Sequence, residues 1–362
     1  MLSINLFKKH IFLEFMKNIL KVGATFIAFA IVLDLFEEIS FFKKYDVVPF
    51  FPLMMSLLKV PSILYEIFPF IFLISSILLF LFLLQSEELN LIKLAGLSNF
   101  RIIMYPAFIS LICGIIIISG FTIISSKLSR LYLNIKNDYT LENDYLAAIT
   151  ENGIWIKDVV ESKNIIINAS SLEENFLVNV SIFEFEEDFN FLSRMEIERA
   201  DISSEYWKLY NLTKYYQSNN KTENFDELVI KSNFDLNKLK NIFSELRSIS
   251  FWELNKVKKN YKDLGISTLE IESEFHKALA YPLFLMCMTI IAGLFVLGIE
   301  SRKSYLFYVF LSIVLSVIIY YLNYFSKALG ETNNLDIIAA IWSPIIILTI
   351  FCSIGLIRIN EK

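Results

Sequence analysis

Long apolar runs, separated by short charged connections and by one extended polar block, set the pattern of this chain. Five runs without a charged residue are Ile67–Ser86, Ile102–Ser126, Ala278–Ile299, Ser304–Ser326 and Ile337–Ile357. Each can cross a bilayer, because a hydrocarbon layer about 30 Å thick needs about 20 residues of helix rising about 1.5 Å each. A sixth run, about Ile19–Phe42, is apolar through its first half and carries Asp34, Glu37 and Glu38 near its far end. Its apolar half needs a bilayer and its acids fall where an interface would lie, so it also reads as a span. Ala28-Phe29-Ala30 matches a small-x-small cleavage site, but it lies within the apolar run and not after it. That position favours a retained helix over a cleaved leader. Ahead of the run, Ile4, Phe7, Ile11 and Phe15 share a helical face, with Lys8, Lys9 and Glu14 elsewhere. This spacing predicts an amphipathic helix lying in the inner interface.

The polar block between the third and fourth spans changes period. β-branched and aromatic runs at Gly153–Lys157, Asn164–Asn168, Leu177–Phe185, Phe191–Glu198, Tyr206–Tyr215 and Asn224–Lys231 are separated by Asn, Ser and acidic clusters, which predicts six strands. In the third of these, Leu177, Asn179, Ser181, Phe183 and Phe185 fall on one side, and Val178, Val180, Ile182, Glu184 and Glu186 on the other. So imperfect an alternation predicts an antiparallel sandwich over a single half-buried sheet. From Asp235 the pattern turns helical, with Phe251, Leu254, Val257, Tyr261 and Leu264 on one face. The expected architecture is an α-helical polytopic membrane protein with an inserted antiparallel β domain. Residues 1–130 would hold the interfacial helix and spans one to three, 131–275 the β domain with a helical return, and 276–362 spans four to six.

Composition agrees: 55% hydrophobic residues, 34 Phe and a mean hydropathy of +0.54 exclude a water-soluble enzyme. Ten Gly, seven Pro and three Cys exclude collagen-like, disordered and disulfide-framework classes. The net charge of −5 hides two unlike parts, because residues 131–275 carry −10 and the remainder +5. Neither part has a basic patch with stacking aromatics, so nucleic acid is not an expected partner. Basic residues are retained on the cytoplasmic side of short connections. With the N-terminus inside, Lys8, Lys9, Lys17, Lys21, Lys93, Arg101, Arg302, Lys303, Arg358 and Lys362 are inner, against Lys43, Lys44, Lys59 and Lys327 outer. Both termini are then expected in the cytoplasm and the β domain outside.

Candidate chemistry is sparse. No G-x-x-x-x-G-K-[ST] loop occurs, and the only histidines, His10 and His276, lie near opposite ends of the chain. A phosphate-cradling ATPase, a Ser-His-Asp triad and a His-rich metal site are therefore not expected, nor is any cofactor. The connection between spans two and three says more. Ser86 can cap a short helix over about 86–97, Glu87 and Glu88 suit its positive end, Gly96 suits the position just past its other end, and Ser98 can cap the next helix. With Leu89, Leu91, Ile92 and Leu94 it reads either as a helix lying among headgroups or as a knob offered to a cytoplasmic partner. Asp34, Glu37 and Glu38 share one face of the first span, where they are either solvated at the outer rim or functional. Tyr320, Tyr321 and Tyr324 near the outer end of the fifth span suit an aromatic belt.

Taken in order, these features resemble the lipopolysaccharide-export permease family of bacterial ABC transporters, LptF/LptG. The resemblance rests on Leu58-Lys59-Val60-Pro61 and Phe68-Pro69, on Glu87-Glu88-Leu89 with Ala95-Gly96, on Gly153-Ile154-Trp155-Ile156-Lys157-Asp158, and on Trp342-Ser343-Pro344. The stretches Ile249–Leu254 and Lys277–Leu283 look more like the LptG member. The family implies a periplasmic β-jellyroll, an LptF-like permease partner, two LptB-like ATPase subunits, an LptC-like partner, and removal of lipopolysaccharide from the inner membrane. It also implies ATPase coupling at Glu87, Glu88, Leu89, Ile92 and Gly96, and a lateral lipid path past Asp34, Glu37, Glu38, Tyr320 and Tyr324. Relatives often carry basic residues where Asp34, Glu37 and Glu38 stand, which is a departure at this gate. The same-complex alternative is the LptF-like partner. The alternative of another class is a membrane-anchored sensor or scaffold whose β domain binds a ligand.

Overall fold

The computed structural model describes residues 2–360 apart from 95, 141–145, 151–152, 161–162, 174, 187–189, 218–220, 235–247, 264–267, 299–304 and 333. Ala95, Asp235, Leu264, Ile299, Arg302, Lys303, Ser304 and Lys362, named above, lie outside the described residues. The helices are α1 (Leu2–Phe42), α2 (Phe51–Gln85), α3 (Glu88–Leu94), α4 (Asn99–Ile116), α5 (Thr122–Thr140), α6 (Phe251–Asp263), α7 (Leu269–Leu297), α8 (Tyr305–Glu331) and α9 (Ile337–Asn360). A five-residue π-helical turn, Ile117–Phe121, joins α4 to α5 without a break in the span. The strands are β1 (Leu146–Thr150), β2 (Gly153–Val160), β3 (Lys163–Glu173), β4 (Phe176–Phe185), β5 (Phe191–Asp201), β6 (Tyr206–Tyr216) and β7 (Thr222–Lys231). The chain divides into a helical unit, Met1–Tyr132 with Glu272–Lys362, and a second unit, Leu133–Ile271.

Among the described residues six helices are long and apolar enough to cross a membrane: Phe7–Phe42, Phe51–Gln85, Asn99–Lys136, Leu269–Leu297, Phe310–Glu331 and Ile337–Ile359. The N-terminal segment is not a separate interfacial helix. It forms the opening turns of α1, a single 41-residue helix about 60 Å long at 1.5 Å per residue. Its face is covered by protein: Ile11 and Phe15 are fully buried, and the Phe15 ring meets Phe72 of α2 edge-on at 6.2 Å. With no Pro in α1, nothing in the backbone stops the helix at the bilayer boundary. Elsewhere the spans pack through small residues. A Cβ at Gly114 of α4 would stand 2.7 Å from the Pro282 Cα of α7, so only glycine permits that approach.

The second unit is built on one seven-stranded antiparallel sheet in sequence order, β1 through β7. The inserted antiparallel β domain is therefore present, and among the described residues its strands form one sheet in sequence order in place of the two sheets of a sandwich. β1 escaped prediction because Leu-Ala-Ala-Ile-Thr is short and weak in β-formers. The imperfect alternation has a cause other than two packed sheets. Ser170, Asn179, Glu198, Asn211 and Asp226 face one another across β3 to β7, and all drop out of the ladder pairing that flanks them. Across this row the buried positions step by three residues: Ala169 to Leu172, Leu177 to Val180, Ile197 to Ala200, Leu209 to Leu212. Leu177 thus shares a face with Val180 and Ile182, contrary to strict alternation. Asn179 and Asn211 take φ of 49° and 50°, the left-handed region that Asn tolerates better than most residues.

The creased sheet wraps one core that includes Ile154, Ile167, Val180, Ile197, Trp207 and Phe234. The wrap is fastened where the chain leaving β7 reaches β2. Asp158, fully buried, accepts from Ser232 Oγ at 2.8 Å, Asn233 N at 3.0 Å and Asn233 Nδ2 at 2.9 Å. Beside it the Trp207 indole donates to the Phe234 carbonyl at 2.7 Å. Asp158→Ala removes the acceptor for three donors at once. We expect a loss of about 3 kcal/mol or more, read as faster amide exchange in β2 and β7 of the full-length protein, with the helical unit unaffected.

Candidate functional site

Two places in the helical unit hold the residues that the sequence singles out. The first forms where α1, α2 and α5 meet. Helical spacing sets Asp34, Glu37 and Glu38 on one face of α1, and α2 presents Lys59 to all three. Its Nζ lies 2.6 Å from Asp34 Oδ1, 3.2 Å from Glu37 Oε2 and 3.9 Å from Glu38 Oε1. From α5, the Tyr132 hydroxyl donates to Glu38 Oε1 at 2.7 Å, and its ring centroid lies 5.7 Å from the Lys59 ammonium. Asp34 and Glu38 are buried, whereas the Glu37 side chain is 65% exposed. Asp34 Oδ2 is buried and, among the described residues, accepts no hydrogen bond.

This arrangement revises the reading of two residues as rim acids. Asp34 and Glu38 are sealed into a helix contact and do not face an aqueous rim. Lys59, counted in an outer connection, lies within α2, which starts at Phe51. Sequence reasoning had a signal for it: a lysine at an apolar helix beside a helix carrying three acids needs a partner. The same holds for Lys327 of α8, which bridges Glu274 of α7 and Glu331, the latter at 3.3 Å, and was also counted as outer. The Tyr320 ring lies 5.3 Å from Phe70 of α2, and Tyr324 is exposed.

The second place is α3. Ser86 does not cap it; the residue ends α2, its N–H and hydroxyl both bonding the Phe82 carbonyl at 2.9 and 2.8 Å. The chain reverses at Glu87, whose φ is 58°. The Glu87 carbonyl then accepts the first bonds of α3 from Asn90 and Leu91, at 3.1 and 3.4 Å. Leu89 and Ile92, one turn apart, are buried, while Leu91 and Leu94 are exposed. At the far end Gly96 has a φ of 84°, and Leu97 N bonds the Ile92 carbonyl at 3.3 Å. This left-handed stop is the one for which glycine is suited. Ser98 then accepts from Arg101 N at 3.4 Å and caps α4, as its position predicts. Glu88, the first residue of α3, holds its Oε2 3.2 Å from His10 Nε2 of α1. The result is a seven-residue helix seated by two apolar side chains and closed at both ends, with a carboxylate near one end.

Among the described residues no group of three or more His, Cys, Asp or Glu could hold a metal ion. Both places are suited to holding helices or offering a contact. A family model described as lipopolysaccharide export system permease LptF/LptG matches residues 9–358. A search of curated proteins returns no match.

Removing Lys59 leaves two carboxylates buried without their cation. Lys59→Met is expected to cost about 3 to 5 kcal/mol, seen as a lower melting temperature of the detergent-solubilised protein. Adding Asp34→Asn to that variant should recover part of the loss, because it removes one of the stranded charges.

Proposed function

This chain belongs to the LptF/LptG family of lipopolysaccharide export permeases, and from that premise we propose that it is the membrane-spanning half of an ATP-driven lipopolysaccharide extractor. In this reading it sits in a bacterial inner membrane with both termini in the cytoplasm and the β domain in the periplasm. A second, LptF-like permease completes the passage, two LptB-like subunits hydrolyse ATP beneath it, and an LptC-like partner receives lipid from the β domains. The chain itself contributes no hydrolytic step. Lipid would leave the outer leaflet between the first span of one permease and the fifth of the other.

The observation that carries this reading is α3. A short helix seated by Leu89 and Ile92, stopped by Gly96 and showing Glu88 beside the exposed Leu91 is suited to passing an ATPase's closure to the spans. It can do so provided that the closed and open ATPase contact it differently. The gate reading is narrower than the sequence alone would make it. Of the five residues assigned to the lipid path, Tyr324 is exposed, while Asp34, Glu37 and Glu38 all meet Lys59 and Glu38 also accepts from Tyr132. Lipid phosphate is therefore better met by basic residues beyond the acids, such as Lys43 and Lys44, than by this face.

In the assembled complex, reconstituted with lipopolysaccharide, Glu88→Ala should lower lipid-stimulated ATP hydrolysis about tenfold or more, the scale of truncating one member of an interfacial charge pair. Wild-type hydrolysis and export in that variant would remove the coupling assignment. Crosslinking the β domain to the LptC-like partner tests the LptG-like reading against the LptF-like one.

A further inference from the structure

We infer that His10 is the positioning residue for the coupling carboxylate, holding Glu88 in its working orientation before the ATPase docks. The inference rests on the coupling role proposed for Glu88. His10 stands in the opening turns of α1, and its Nε2 meets Glu88 Oε2 at 3.2 Å. The imidazole is itself held, with its ring centroid 6.3 Å from that of Phe82, four residues ahead of Ser86 at the end of α2. The imidazole thus joins three helices, meeting the carboxylate of α3 on one side and the Phe82 ring of α2 on the other. Glu88 has three side-chain torsions and follows a left-handed residue at a helix start, so without a partner it samples several rotamers in water. A hydrogen bond to an ionised acceptor is among the stronger local restraints. It engages one oxygen, and among the described residues Oε1 accepts no hydrogen bond. The Glu88 side chain remains 34% exposed, so that a cation of the ATPase can reach it. Fixing the rotamer beforehand removes an ordering cost from each docking event.

The test uses the complete transporter, both permeases with the ATPase, in lipopolysaccharide-containing proteoliposomes. His10→Ala, His10→Gln, Glu88→Ala and the double His10→Ala/Glu88→Ala variants are compared at equal amounts of co-purified ATPase. Lipid exported per ATP hydrolysed should fall about fivefold in His10→Ala, the scale of one half-exposed charge-assisted contact. His10→Gln, which keeps a donor, should recover most of it, and His10→Ala should add nothing in the Glu88→Ala background. Wild-type coupling in His10→Ala with coupling lost in Glu88→Ala would overturn the positioning role and leave the coupling reading intact. Wild-type coupling in Glu88→Ala would overturn both. Equal losses in His10→Ala and His10→Gln, or additive losses in the double variant, would assign His10 to packing. If His10→Ala does not assemble, His10→Gln against Glu88→Gln decides: the inference requires the first to couple and the second to fail.

Discussion

A charge buried among apolar helices has little water to turn to, and the helical unit gives its buried charges partners. Lys59 sits between Asp34, Glu37 and Glu38, and Tyr132 closes the same node from α5. The first three spans are thereby fixed in rotation about their own axes, since turning α1 by one residue would carry the acids away from the lysine. Lys327, Glu274 and Glu331 do the same for α7 and α8. Between these nodes apolar contact is joined by hydrogen bonds between helices, such as Ser110 with Thr289 at 2.6 Å and the Tyr281 hydroxyl donating to the Tyr65 carbonyl at 2.6 Å, and is made close where glycine allows it, as at Gly114 against Pro282.

The spans were legible because length and absence of charge suffice to identify them, and all six appear as helices. What was not legible depends on contacts between distant segments. The N-terminal amphipathic pattern predicts a helix equally well in an interface or against a protein face, and the burial of Phe15 against Phe72 shows it meeting protein. In the β domain the strands from Gly153 to Lys231 were visible, but their fold was not. Strict alternation fails at Asn179 for a local reason, a left-handed residue in a creased strand. From one strand alone that failure is indistinguishable from burial on both faces.

The candidate sites divide in the same way. The acids of α1 were recognisable as a face, and the helix at Glu88 as an amphipathic connection with its Gly96 stop and Ser98 cap. Their partners were not recognisable, because Lys59, Tyr132 and His10 lie 21 or more residues from the groups they serve. Ser86 shows the limit of capping rules. A serine between two helices can end the first as readily as begin the second, and here the Phe82 carbonyl takes it.

The crease through Ser170, Asn179, Glu198, Asn211 and Asp226 constrains how the sheet can vary. Each strand changes the parity of its inward positions at this row, so the two halves of the sheet agree on which face is the core only because all five shift together. Deleting Asn179 alone would leave β4 correct on one side of the row and reversed on the other, pushing Leu177 outward or Val180 and Ile182 outward. The row is therefore inherited as a unit: a strand can be resurfaced residue by residue, but its length at the crease cannot change unless its neighbours change with it.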